Sequence, residues 1–149
     1  MKTKVILFVI FFICLANITN AQPKQVKARS IISTNSSIKT YNERKGLEAM
    51  NKGELIELYK ERIKLLVNIL PNIALASKPG ISMTDIGIPD TTDNRKALDS
   101  QIQNTNDFIT NTAAFQSNFL PFSDKLNIIN CILFYESTLK SLNVLNDTE

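Results

Sequence analysis

Apolar residues recur along most of this chain at intervals of three and four, the spacing of one face of a helix. Leu55, Tyr59, Ile63, Leu66, Leu70 and Ile73 form the first such stripe, widened by Ile56, Val67 and Ala74. Glu57, Lys60, Glu61 and Lys64 fall off it, where their charges stay in water. The pattern predicts a helix over residues 52–75. Asn51 followed three residues later by Glu54 resembles a capping box and marks its start. Pro71 removes a backbone donor inside the pattern, so a kink or a break is expected near residues 67–70. Residues 43–50 suggest a preliminary helical turn using Leu47 and Met50.

A second helix is predicted over residues 93–119, capped by Thr92 or Asp93. Leu98, Ile102, Ile109 and Ala113 mark its seam, joined by Phe108, Phe115, Phe119 and Leu120. The rest of it is polar and contains several mediocre helix formers, so it should be the least stable element. Pro121 ends it, and a third helix starts near Pro121 or Ser123. There Ile128, Ile132, Tyr135, Leu139 and Leu142 form the stripe. Leu126, Ile129, Cys131, Leu133 and Phe134 make its first half apolar nearly all round, as in a helix that is buried or that offers a second face to a partner. Residues 143–149 read as a frayed tail. No alternating run argues for a strand. The expected fold is all-α, an antiparallel three-helix up-down-up bundle over residues 46–149.

The connection between the first two helices, residues 80–92, is longer than the ~2–8 residues usual between helices. It is also unusually apolar, with Ile81, Met83, Ile86 and Ile88. Two readings follow. The connection plugs the end of the core, or those four residues present an apolar surface to another protein or a small apolar ligand.

The N-terminus changes the picture of where the chain works. Lys2 and Lys4, an apolar run from Val5 to Leu15, and Thr19-Asn20-Ala21 have the layout of a cleaved secretory signal peptide over residues 1–21. The run is too short for a spanning helix. A lipid anchor at Cys14 is disfavoured by Ile13 before it. Residues 22–45 carry six cations against one anion, whereas residues 46–149 carry nine against thirteen. The basic stretch is expected to be a flexible leader, since its only apolar cluster is Ile31, Ile32 and Ile38. Its cations are dispersed, so nucleic acid is not an expected partner.

Histidine is absent, which excludes Ser-His-Asp and Cys-His nucleophile systems and histidine-based metal sites. After signal cleavage one cysteine remains, Cys131, expected to be a buried core thiol with no disulfide. Asp85, Asp90 and Asp93 stand among threonines, but their spacing does not match a calcium loop. Capping and turn formation account for them, and no metal or cofactor is expected. Asp90-Thr91-Thr92, Asn35-Ser36-Ser37 and Asn146-Asp147-Thr148 match short glycosylation patterns that are common by chance. Tyr59 and Tyr135 fall on apolar stripes, where a hydroxyl needs a partner. A polar core cluster of Tyr59, Arg62, Tyr135 and Glu136 is expected to join the first and third helices.

The sequence reads as a secreted or periplasmic binding module without catalysis. Its partner would be another envelope or secreted protein, or a second copy of itself. The contact would be residues 80–92 or the apolar first half of the last helix. Two alternatives differ in class: a bundle that holds a small apolar ligand between the first and third helices, and an enzyme using Asp85, Asp90 and Glu136.

Overall fold

The computed structural model describes residues 29–146 except Ser77, with side chains described up to Leu142. The signal-peptide reading, Cys14, residues 22–28 and residues 147–149 lie outside the described residues. Helix dominates. The order is α1 (Arg44–Ala49), α2 (Lys52–Ile69), α3 (Thr92–Phe119) and α4 (Lys125–Asn146), with 3₁₀ turns at Leu70–Asn72, Thr84–Ile86 and Leu120–Phe122.

The local signals that start each helix act as the residues dictate. Asn51 accepts the Glu54 N–H at 3.0 Å while Glu54 accepts the Asn51 N–H at 2.8 Å, which completes the capping box of α2. Pro71 does more than kink α2. The α-helix ends at Ile69 and a 3₁₀ turn carries Pro71 in its first positions, where its missing donor costs little. Thr91, rather than Thr92 or Asp93, caps α3 by accepting the Asn94 N–H at 3.2 Å. The Asp124 carbonyl accepts the first intrahelical bond of α4, from Ile128 at 3.2 Å.

α2 and α4 form the central pair, and their interface is divided into three layers. Leu55 and Ile56 of α2 meet Ile128, Ile129 and Ile132 of α4 at one end, with Leu47 of α1 sealing it. Leu65, Leu66 and Ile69 meet Leu139 at the other. Between them in both sequences sit Tyr59, Arg62, Tyr135 and Glu136. The buried face of α2 is thus turned slightly from the predicted one: Arg62 and Leu65 are buried, while Leu70 is exposed.

Residues 29–45 differ most from expectation. They run along the bundle instead of standing off it as a flexible leader. Ile31 and Ile32 are core residues, 5% and 1% exposed. Backbone bonds fasten this strap to the α2–α3 connection: Ile31 N–H to Ile81 O at 2.8 Å and Gly80 N–H to Ile32 O at 3.0 Å. Gly80 has φ +96° there, a conformation that costs only glycine little. The strap and the connection cover the same end of the core, so Ile31 and Ile32 find the burial that their own stretch of sequence lacks.

α3 packs on α2 but makes few contacts with α4. Only Gln116 of its 28 residues is buried. The three long helices therefore leave one edge open. No described helix is long and apolar enough to cross a membrane.

Candidate functional site: an open uncharged groove beside a closed polar layer

The four residues expected as one polar cluster form two separate pairs. Arg62 Nε donates to Glu136 Oε1 at 2.8 Å, with both side chains buried. The remaining guanidinium donors reach Thr40 O at 2.9 Å and Glu61 Oε1 at 2.8 Å. Glu136 in turn accepts the Asn42 backbone N–H at 2.7 Å and its side-chain amide at 2.9 Å. Residues 40–42 of the strap are thereby clamped between α2 and α4. The tyrosines find each other rather than Arg62 or Glu136: their hydroxyls lie 3.1 Å apart and their ring centroids 5.4 Å. Burial, and then the bond to Tyr59, holds the Tyr135 hydroxyl well above the ordinary phenol range. It stays protonated near neutral pH and acts here as a hydrogen-bonding group.

The connection residues face inward. Met83 is buried, and Ile81, Ile86 and Ile88 pack half-buried against the same cluster as Ile31 and Ile32. Ser82 and Asp85 lock the turn that aims them. Asp85 accepts the Ser82 N–H and the Ser82 hydroxyl, each at 2.8 Å. Those bonds hold the Asp85 carboxyl below the ordinary carboxylate value of 3.8. The Arg95 guanidinium does the same for Asp90 through bonds of 2.6 and 2.7 Å. Asp85, Asp90 and Glu136, the three carboxylates of the enzymatic alternative, are thus held in three separate networks. Among the described residues no group of three histidine, cysteine, aspartate or glutamate side chains gathers.

These shifts fix the sign of an acid effect. Each carboxyl has a folded pKa below its unfolded one, so its stabilising share is fully present above the unfolded value. It is lost as pH falls through the lower folded value. The urea midpoint should therefore hold from about pH 5 upward and decline below about pH 4. The Asp85→Asn/Asp90→Asn double variant should decline less over that range. Parallel declines in urea titrations would refute this assignment. The effect is small, because both carboxylates face water.

Exposed apolar surface gathers elsewhere, on α3 and α4. Phe108, Phe115 and Phe119 recur at steps of seven and four. At 3.6 residues per turn that places them within about 40° of one another, roughly a quarter turn from the face bearing Leu98, Ile109 and Ala113. They are 55%, 60% and 59% exposed. Phe115 and Phe119 stack at 4.5 Å. Phe122, Leu126 and Phe134 are also exposed, so the apolar surplus of early α4 does reach solvent. Cys131 is exposed there too rather than buried, because Ile128, Ile129 and Ile132 take the inward positions around it.

The open edge between α3 and α4 forms a groove of about 630 Å³. Ile63, Val67 and Leu70 of the α2 side make its floor, with Phe108 and Phe134 among its walls, and no lining side chain is charged. An adjoining groove of about 510 Å³ shares Ile63, Val67 and Phe108 but runs toward Lys60 and Gln116. The residue types of these grooves stand on the apolar stripes, but periodicity alone does not tell which face of a helix meets a neighbour.

No protein-family model, curated protein or solved structure matches this chain.

Proposed function

We propose that this chain is a secreted or envelope binding module without catalytic activity, whose contact surface is the uncharged α3–α4 groove with its flanking phenylalanines. Its occupant is an apolar helical segment of another secreted or envelope protein. In this reading α2, α3 and α4 form an antiparallel up-down-up trio opened along one edge, and the partner helix completes it. One observation carries the proposal: a 28-residue helix that buries a single side chain while its Phe108 and the facing Phe134, both more than half exposed, line an uncharged groove. Contiguous exposed apolar surface is costly to leave in water and marks interaction sites. The charge-free lining favours an apolar partner face over an acidic or basic one.

Residues 80–92 act as the core plug of the two readings, so their isoleucines support the fold and do not form the contact. The test follows from that difference. Pull-downs from the secreted and envelope fractions of the source cells would use the wild-type chain and Phe108→Ser/Phe134→Ser as baits. Truncating aromatic anchors at the centre of a contact weakens it by about 30-fold or more. The variant should lose a partner that the wild type retains, with unchanged helical circular dichroism. Identical partner lists from the two baits would sink the proposal.

A further inference from the structure

The first residues of the strap, the end of α2 and the first half of α3 enclose a pocket of about 330 Å³. Ile31 lies buried at its base, and Leu98 of α3 packs against the same core cluster. Ile102 lines it one turn further along α3. Side-chain amides surround these aliphatic groups. The Asn68 amide nitrogen donates to Lys64 O at 2.9 Å, and that of Asn72 donates to Asn68 O at 3.2 Å. Each amide is anchored by its nitrogen, and its side-chain oxygen bonds to no described residue. Gln101 and Asn106 line the pocket from α3, and their side-chain amides likewise bond to no described residue. Arg29 is the only charged lining side chain, and it is ion-paired with Asp99.

We infer that this pocket binds a neutral, hydroxyl-rich ring of the size of one pyranose. The volume stands at the lower end of the ~300–1,000 Å³ typical of small-molecule sites, which suits one ring. A hydroxyl both donates and accepts, and so matches two anchored carbonyl oxygens beside two uncommitted amides. The anchoring bonds already fix the Asn68 and Asn72 oxygens, so ordering them costs little on binding. A pyranose also carries an apolar C–H face, which Ile31, Leu98 and Ile102 can cover. Charged ligands fit less well. An anion would meet those two oxygens and no unpaired cation, and a cation would meet no lining carboxylate. A free sugar and the end residue of a glycan present this same ring. Asn68 and Asn106 do not border the α3–α4 groove, so changes at them leave that surface intact.

Glucose, galactose, mannose and their methyl pyranosides would each be titrated into the ¹⁵N-labelled full chain and followed by amide chemical shifts. The control is 2-methoxytetrahydropyran, the ring of the glycosides without its hydroxyls. At least one sugar should shift amides of residues 29–34, 68–72 and 98–106 with a Kd of about 1–10 mM, as a few neutral hydrogen bonds allow. The control should bind at least about tenfold more weakly. Asn68→Ala/Asn106→Ala should weaken the sugar by about tenfold or more, with unchanged helical circular dichroism. Asn106→Ala alone, on the exposed side of α3, serves if the double variant does not fold. Phe108→Ser should leave sugar binding unchanged, which separates this site from the α3–α4 groove. Binding of the free sugars alone identifies a soluble ligand, and binding of the glycosides too identifies a glycan end; either supports the inference. It is overturned if no sugar shifts these amides at about 0.1 M, well above the expected Kd. Equal binding of the control, or full affinity in a folded variant, would overturn it as well.

Discussion

Glu136→Ala is expected to lower the free energy of unfolding by about 3–5 kcal/mol, a large part of the ~5–15 kcal/mol that holds a domain together. The reason is asymmetric. Removing the carboxylate leaves the Arg62 guanidinium buried with one of its salt-bridge partners gone. It also leaves the Asn42 backbone N–H without the acceptor that lies 2.7 Å away in the wild type. Both groups then carry the cost of burial without its compensation. Thermal unfolding should fall by roughly 10–20 °C. Glu136→Gln should cost less, because it keeps acceptors for Asn42 while losing the charge. Arg62→Met/Glu136→Ala should be less destabilised than the two single changes added together, since each single change orphans what the other removes. Urea unfolding of the wild type, Glu136→Ala, Glu136→Gln, Arg62→Met and the double variant measures all of this. A loss below about 1 kcal/mol in Glu136→Ala would mean that the pair is not desolvated as the structure has it.

The same layer gives a reason for an ion pair where leucines would pack more simply. Arg62 and Glu136 lie between two apolar clusters whose contacts are non-directional, whereas the ion pair is directional. A one-turn slip would separate the pair and release residues 40–42. Buried polar contacts fix register in some helical assemblies. Register matters here because Phe134 of α4 and Ile63 and Val67 of α2 line one groove. Fixing α2 against α4 fixes the shape of that surface. In Glu136→Ala the strap should accordingly become cleavable by protease near residues 40–42 before the helices are cut.

Much of this arrangement was legible in the sequence where a local rule governed it. The Asn51–Glu54 capping box, the break at Pro71 and the inward positions of Ile128, Ile132 and Leu139 follow from spacing and backbone chemistry. That each stripe tyrosine needs a partner was legible too, although the tyrosines chose each other and not Arg62 or Glu136. The failures share a physical cause, since each depends on what a segment meets and not on its own pattern. Cys131 sits among apolar neighbours yet faces water, because a helix with apolar residues all round still has only one inward side here. Phe108, Phe115 and Phe119 belong by spacing near the α3 seam but stand about a quarter turn off it, and of the three only Phe108 borders the grooves beside α2. Ile31 and Ile32 have no periodicity to announce them. Their burial comes from residues 80–88, some fifty positions away in the chain.

That distant partnership supports the second large prediction. Ile32→Ala should cost about 2–4 kcal/mol, the loss typical when a fully enclosed isoleucine is cut to alanine and its cavity persists. Ile32 is 1% exposed and lies in one cluster with Leu65, Leu66, Met83 and Leu139, so α2, α4 and the connection all lose contacts at once. Lys39→Ala, on the exposed side of the same strap, should change stability by less than about 0.5 kcal/mol. A leader that did not dock would make the two substitutions equally neutral in urea unfolding, and that equality would refute the packing of the strap. Met83→Ala probes the other side of the contact. Combined with Ile32→Ala it should cost less than the sum, because the second truncation enlarges a cavity that the first has already opened. Such coupling would show that strap and connection stabilise each other, and it accounts for why a connection so rich in isoleucine does not expose them.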